Sequence, residues 1–279
     1  MTYEIEQSAQ MNVWPIRAEW WLMPLWSTFA GIWAFSRTAL NESPTNVAIA
    51  VALVAGGWQP LWHVATRTAW AGPLAHWKSW TQTLPLPKWP YLQSGTVGAV
   101  LHERIAQARS WWRVVGRQTL TQPIRRGVLA LLISLLLGAA LGRVTVLLSL
   151  AVTALAQLAA LWHEGKGQVG TLWSATAMVG MPWLLGASLG GEGVQGAFAA
   201  LILTLVAGAY AQHGWGAVLG PALGATFLAW QGQSLLAGWL LLAALPGLIV
   251  LAQQPTEETY RSVAGFSILA MTALIAIGL

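Results

Sequence analysis

From Trp20 to Leu279 the chain returns repeatedly to apolar stretches, each close to the ~20 residues that carry a helix across the hydrocarbon of a bilayer. Inside hydrocarbon the backbone has no water to bond, so such stretches must close their own hydrogen bonds as helices. An outer-membrane barrel would instead alternate polar and apolar residues along each strand, and that alternation is missing. Charged residues make up 8% of the chain and hydrophobic ones 56%, with a mean hydropathy of +0.57, against about 25% charged in an average soluble protein. The expected fold is an all-α polytopic membrane protein, one transmembrane domain over residues 1–279.

Nine spans are expected: Trp20–Phe35, Val47–Ala65, Gly127–Gly142, Val144–Leu161, Leu172–Gly190, Ala197–Ala211, Ala217–Trp230, Leu235–Ala252 and Ser262–Leu279. The longest polar connection, residues 66–126, holds Arg67, Lys78, Lys88, Arg104, Arg109, Arg113, Arg117, Arg125 and Arg126 against the single acid Glu103. Nine of the fourteen basic residues therefore fall in one loop, which the positive-inside rule assigns to the cytoplasm. Nine spans then put the N-terminus inside and the C-terminus outside, in the inner membrane of a bacterium. Arg143, between the third and fourth spans, falls outside against the rule. Met1 to Ile16 carries Glu4 and Glu6 without a basic region, and reads as a cytoplasmic lead-in, not a cleavable signal. The net charge of +5 follows from this orientation and does not indicate nucleic-acid binding.

The chain has no aspartate and no cysteine, and its nine glutamates lie outside the apolar stretches. Thiolate chemistry, disulfides and iron–sulfur ligation are excluded. An intramembrane charge costs about 2.5–3.5 kcal/mol at a helix centre on insertion scales, and here none is present to drive an ion pathway. A proton pump or carboxylate-coupled transporter is disfavoured.

Small residues should set the helix packing. Gly138 with Gly142, Gly186 with Gly190, and the stripe Gly216, Gly220, Gly224 recur at four-residue spacing, which lets helix backbones approach closely. Pro24, Pro60, Pro182, Pro221 and Pro246 should kink or locally open their spans.

Within the basic connection, Val97–Arg117 reads as an amphipathic helix lying in the headgroup plane. Arg109, Arg113 and Arg117 share one face, and Val97, Val100, Leu101, Ile105, Ala108, Trp112 and Val115 form an apolar one. Such a helix suits a lid that receives an anionic headgroup or diphosphate, and equally an anchor on any acidic lipid. The nineteen tryptophans suit interfacial anchoring. Trp26, Trp33, Trp58, Trp62, Trp183 and Trp239 are the candidates for deeper contact with a tail, ring or chlorin. The histidines, His63, His76, His102, His163 and His213, show no metal-binding spacing.

Local text resembles the UbiA superfamily of membrane prenyltransferases. "RAEWWLMPLWSTFAG", Arg17 to Gly31, is similar to that family's first helix, and "PLPKWPYLQSG", Pro85 to Gly95, to its cytoplasmic "RPLPSG" turn. Lys166 stands near a family lysine before the fifth helix, and nine spans with a basic connection after the second match its organisation. The resemblance implies a helical bundle enclosing an isoprenoid site. Family members bind Mg²⁺ and prenyl diphosphate through aspartate motifs after the second and sixth helices. Here "WQPLWHVAT", Trp58 to Thr66, and "QHGWGAVLG", Gln212 to Gly220, occupy those places without a carboxylate. Mg²⁺ wants hard oxygen ligands, so metal-assisted prenyl transfer is expected to be lost, and no catalytic or metal-ligating residue carries over.

The resulting expectation is a UbiA-like membrane protein that binds a hydrophobic ligand (quinone, isoprenoid lipid or a pigment such as a chlorin) or a membrane partner. Lys88, Arg109, Arg113, Arg117 and Lys166 are the candidates for headgroup or diphosphate contact, and Trp58, Gln59, Trp62, His63, Gln212 and His213 for the cavity mouth. The alternatives are an atypical, metal-free prenyltransferase and a structural subunit of a photosynthetic or respiratory membrane complex. The expected partners are the lipid bilayer and other membrane subunits, with no nucleic acid.

Overall fold

A computed structural model of the 279-residue chain describes residues 18–35, 43–68, 70, 73, 77, 80–82, 96–166, 170–191, 193–212, 214–253 and 257–279. Among these residues there are helices and connecting turns but no strand. Helix α1 is Ala18–Phe35, and α2 (44–67) joins Pro44–Leu53 to Gln59–Arg67 through a π-turn, Val54–Trp58. Helix α3 (97–119) joins Val97–Trp111 to Arg117–Thr119 through a second π-turn, Trp112–Gly116. Then come α4, Thr121–Leu141, and α5, Arg143–Lys166. Helix α6 (171–189) carries a third π-turn, Thr176–Gly180. The remaining helices are α7, Val194–Tyr210; α8, Gly216–Trp230; α9, Ser234–Ala252; and α10, Glu257–Gly278.

Each expected span falls on a helix. Six helices among the described residues are long and apolar enough to cross a membrane: α2, α4, α5, α6, α9 and α10. Leu22–Phe35, Val194–Tyr210 and Gly216–Trp230 are apolar but shorter.

The five prolines behave in two ways. Pro24, Pro221 and Pro246 sit inside continuous helices. Pro60 and Pro182 each follow a π-turn by two residues. Proline lacks the N–H that would close the preceding turn and its ring crowds the carbonyl four residues back. One wide turn relieves that conflict without ending the helix.

Six helices close a ring in which α1 packs on α6, α6 on α7, α7 on α8, α8 on α9, α9 on α10 and α10 back on α1. Its interior is filled by Trp183, Tyr210, Tyr260, Leu203, Leu228, Leu240, Ile268 and Met271, all fully buried. Helices α2, α4 and α5 form a second group, joined to the ring through α1 and α6 and sealed by Leu53, Val54, Trp58, Leu148, Val152 and Leu185.

Glycines mark the crossings. A β-carbon on Gly31 would strike the Trp183 carbonyl, and one on Gly186 the Thr28 carbonyl, so α1 and α6 touch backbone to backbone. The expected stripe brings α8 close to its neighbours, backbone to backbone at Gly216 and Gly220. Gly216 faces the Ala209 carbonyl, Gly220 faces Val206 and Tyr210 of α7, and Gly224 packs against Leu240 of α9. Gly138 lies on Ser149 and the Thr145 carbonyl, while its expected partner Gly142 instead forms the turn between α4 and α5 at φ +117°. Only glycine takes that conformation without strain. Gly190 ends α6, where it caps the helix.

Replacing Gly186 by leucine should drive α1 from α6 and cost about 3 kcal/mol or more, the upper end of overpacking penalties. Gly238 has nothing within 4 Å of its added β-carbon, so Gly238→Ala should stay within about 0.5 kcal/mol of the parent. Thermal unfolding in detergent separates the two.

Candidate functional site

Helix α2 presents two different faces. On the inner one, Trp58, Gln59 and Trp62 are 2%, 3% and 5% exposed. With Pro24, Val54, Val152, Ala177, Met178 and Pro182 they surround a space that holds no water-sized void. Two π-turns, one from α2 and one from α6, therefore meet in a packed junction. These three residues are parts of the core, not the lip of an open cavity.

A chain of hydrogen bonds fixes α2 to its neighbours there. The Trp58 indole N–H donates to Ser149 Oγ of α5 at 3.1 Å. Ser149 Oγ donates to the Ser134 carbonyl of α4 at 3.3 Å, and Ser134 Oγ donates to the Ala130 carbonyl at 2.8 Å. Gly57 admits Ser134 directly against the α2 backbone. All four groups are buried, and in an apolar interior each polar atom needs such a partner.

The opposite face of α2 opens. Gly56, Pro60, His63, Val64 and Thr68 line one wall of a cleft of about 570 Å³, and Pro123, Arg126, Leu129, Ala130 and Ile133 of α4 line the other. That volume lies within the roughly 300–1,000 Å³ usual for small-molecule sites. The helices run antiparallel, since Gly56 approaches Ile133 at one end and Val64 approaches Gly127 towards the other. Thr68, just past the end of α2, follows Gly56 by twelve positions, which at 1.5 Å per residue makes the groove about 18 Å long. Small or ring-closed side chains (Gly56, Pro60, Ala130) leave the space.

The lining is graded along this length. Gly56, Leu129, Ala130 and Ile133 make one end apolar, while His63, Thr68 and Arg126 bring polar atoms to the other. His63 and Thr68 are half-buried and Arg126 is exposed. A second cleft of about 260 Å³ shares Val64 and Pro123 and extends along α5 past Thr153, Ala156, Gln157 and Ala160. Thr153 Oγ there already donates to the Ser149 carbonyl at 2.8 Å.

The other expected site residues are dispersed. Arg109, Arg113 and Arg117 are exposed on α3, away from the cleft lining. Lys166 ends α5, and its side chain lies outside the described residues, as do Lys88 and His213. Gln212 is exposed in the turn after α7 and lines neither cleft. Of the six tryptophans expected to lie deep, Trp58, Trp62 and Trp183 are buried, whereas Trp26, Trp33 and Trp239 are 43%, 49% and 55% exposed. Trp26 nevertheless ties α1 to α10 by donating to the Leu269 carbonyl at 2.9 Å.

The sequence reading named His63 as a site residue, but neither Thr68 on the same wall nor the α4 wall with Arg126. One signal was present. Gly56, Pro60 and Val64 recur every fourth residue, a stripe of small or compact residues beside the tryptophan stripe Trp58 and Trp62. Among the described residues no group of three His, Cys, Asp or Glu is placed to hold a metal ion. No family model, characterised protein or solved structure matches this chain.

Ser149→Ala should strand the buried Trp58 N–H and lower stability by about 1–3 kcal/mol. Adding Trp58→Phe to the same chain removes the stranded donor and should restore part of the loss. A double-mutant cycle in thermal unfolding measures that coupling.

Proposed function

We propose that this protein is a membrane-embedded binding protein for an amphiphile with a long apolar tail and a hydrogen-bonding head. The observation that carries the reading is the graded cleft between α2 and α4, apolar at Gly56 and Ile133 and polar at His63, Thr68 and Arg126. A tail of isoprenoid type suits a groove walled by Leu129, Ala130 and Ile133, because the branched chain fills irregular apolar volume by contact alone. A head bearing carbonyl or phosphate oxygens suits Arg126, whose guanidinium offers five donors and no acceptor. Quinones and isoprenoid lipids both belong to this class.

The orientation belongs to the same proposal. All nine apolar helices are read as spans, the three shorter ones included, with the N-terminus in the cytoplasm and the C-terminus outside a bacterial inner membrane. Support comes from the arginines of α3 and the first turns of α4, Arg104, Arg109, Arg113, Arg117, Arg125 and Arg126, all exposed and all within one connection, of which Arg126 lines the cleft. Kinship with the UbiA prenyltransferases is likewise proposed, on the text of the first helix and the basic connection, with catalysis lost along with the aspartates.

The test is gentle purification from native membrane, with an absorbance spectrum and lipid mass spectrometry of what stays bound. A stoichiometric quinone or isoprenoid lipid is expected. Leu129→Trp, at an exposed position on the cleft wall, should fill the groove and reduce bound ligand at least about tenfold, the effect of ~1.4 kcal/mol. Arg126→Gln should weaken retention of the head with little change in thermal stability. Ligand retained unchanged in both variants would place its site elsewhere, and turnover of a prenyl diphosphate by the purified protein would refute the loss of catalysis.

A further inference from the structure

Helix α3 has one face packed and another bare. Thr96 caps its start, accepting the Ala99 N–H at 3.3 Å. Its packed face carries Ala106, Ser110 and Trp111, all buried. The Trp80 indole donates to Ser110 Oγ at 3.1 Å, the Trp111 indole to the Pro73 carbonyl at 3.2 Å, and Gln107 Nε2 to the Trp80 carbonyl. Trp77 meets Trp111 edge-on with ring centroids 5.8 Å apart. These contacts hold the helix by one side to the segment before it.

The other side is exposed and apolar. Val97 is 85% exposed, Val100 56%, Leu101 52%, Ile105 37% and Trp112 40%. Val97, Leu101, Ile105 and Trp112 fall on one stripe at helical spacing. Arg104 borders it on one edge and Arg109 on the other, with Arg113 following one turn on, and all three are exposed.

The place of this stripe follows from the chain. Leu120 alone separates α3 from α4, and hydrogen bonds run through the junction, from the Leu120 N–H to the Gly116 carbonyl at 2.8 Å and from the Ile124 N–H to the Leu120 carbonyl at 2.9 Å. The C-terminal end of α3 is thus fixed at the start of α4, a helix long and apolar enough to cross a membrane. An apolar stripe flanked by arginines, on a helix joined directly to such a span, has the chemistry to meet acyl chains and headgroup phosphates together.

We infer that α3 docks on an anionic bilayer surface, with Val97, Leu101, Ile105 and Trp112 inserted below the headgroups and Arg104, Arg109 and Arg113 on lipid phosphates. The inference stands apart from the ligand cleft, because none of these residues lines it. The chain has no cysteine, so a single introduced thiol carries a spin label without background. The protein is labelled as Leu101→Cys, and separately as Gln118→Cys at an exposed polar position, in nanodiscs of phosphatidylcholine alone or mixed equally with phosphatidylglycerol.

The label at 101 should lose collisions with a water-soluble paramagnetic chelate and gain them with oxygen, more so in the anionic disc, while the label at 118 stays water-accessible. Adding Arg104→Gln, Arg109→Gln and Arg113→Gln should erase the difference between the two discs, as should salt near 1 M, where the screening length falls to about 3 Å. A label at 101 that remains water-accessible in both discs overturns the inference. So does one shielded from the chelate and from oxygen alike, which would mean that protein covers the stripe. A label that inserts equally in both discs overturns the role of the anionic charge.

Discussion

Close approach of helix backbones is the condition on which this architecture rests. In a lipid environment apolar side chains gain nothing by leaving tails for one another, so helices hold through contact area and local polar bonds. The chain meets that condition with glycine at the crossings: Gly31 on Trp183, Gly186 on Thr28, Gly57 on Ser134, Gly220 on Tyr210. Two buried tyrosines bring a bond as well as bulk. The Tyr210 hydroxyl lies over Gly247 and donates to the Ala244 carbonyl at 2.7 Å, joining α7 to α9, and the Tyr260 hydroxyl donates to the Tyr210 carbonyl from α10.

Hydroxyls inside the bundle follow the same economy. Thr28, Thr66, Ser134, Thr204 and Thr272 each donate to the carbonyl four residues earlier, at 2.7–2.9 Å. A side chain that bonds its own helix can be buried without a partner on the next one. Thr28 does this against Pro24, one turn back on the same helix. Polar residues in this interior therefore contribute spacing and small volume more than cross-links. The two tyrosines apart, the cross-links run through Ser149, which accepts from Trp58 of α2 and donates to the Ser134 carbonyl of α4.

Helix positions were legible in the sequence because apolar length is read directly, and the basic helix α3 was legible because arginine spacing marks its face. The glycine stripe of α8 was equally plain. What stayed hidden depended on facing. Trp58 and Trp62 look alike whether they line an opening or fill a core, and a π-turn that shifts the helical register is not encoded in a period of 3.6. Gly142 looked like a packing residue because it follows Gly138 by four, yet it lies one residue past the helix end. The α4 wall of the cleft was missed for a similar reason: Arg126 reads as one more positive charge in a basic loop until α2 is laid against it.

The turns also distribute the chain unequally between the two ends of the bundle. The pairs α4–α5, α6–α7, α7–α8 and α8–α9 alternate in direction, as Gly138 on Ser149, Gly196 on Ala187, Gly220 on Val206 and Gly224 on Leu240 show, and Leu141 and Leu189, the last residues of α4 and α6, pack on one cluster. The reversals at Gly142 and at Gln231–Gln233 consequently fall on one side, while α3 and the segment it packs on fall on the other. Among the described residues the first side offers a protease or an antibody little chain beyond the helix ends. Among the described residues, most of the relief by which water-soluble molecules could grip this protein stands on the arginine-bearing side.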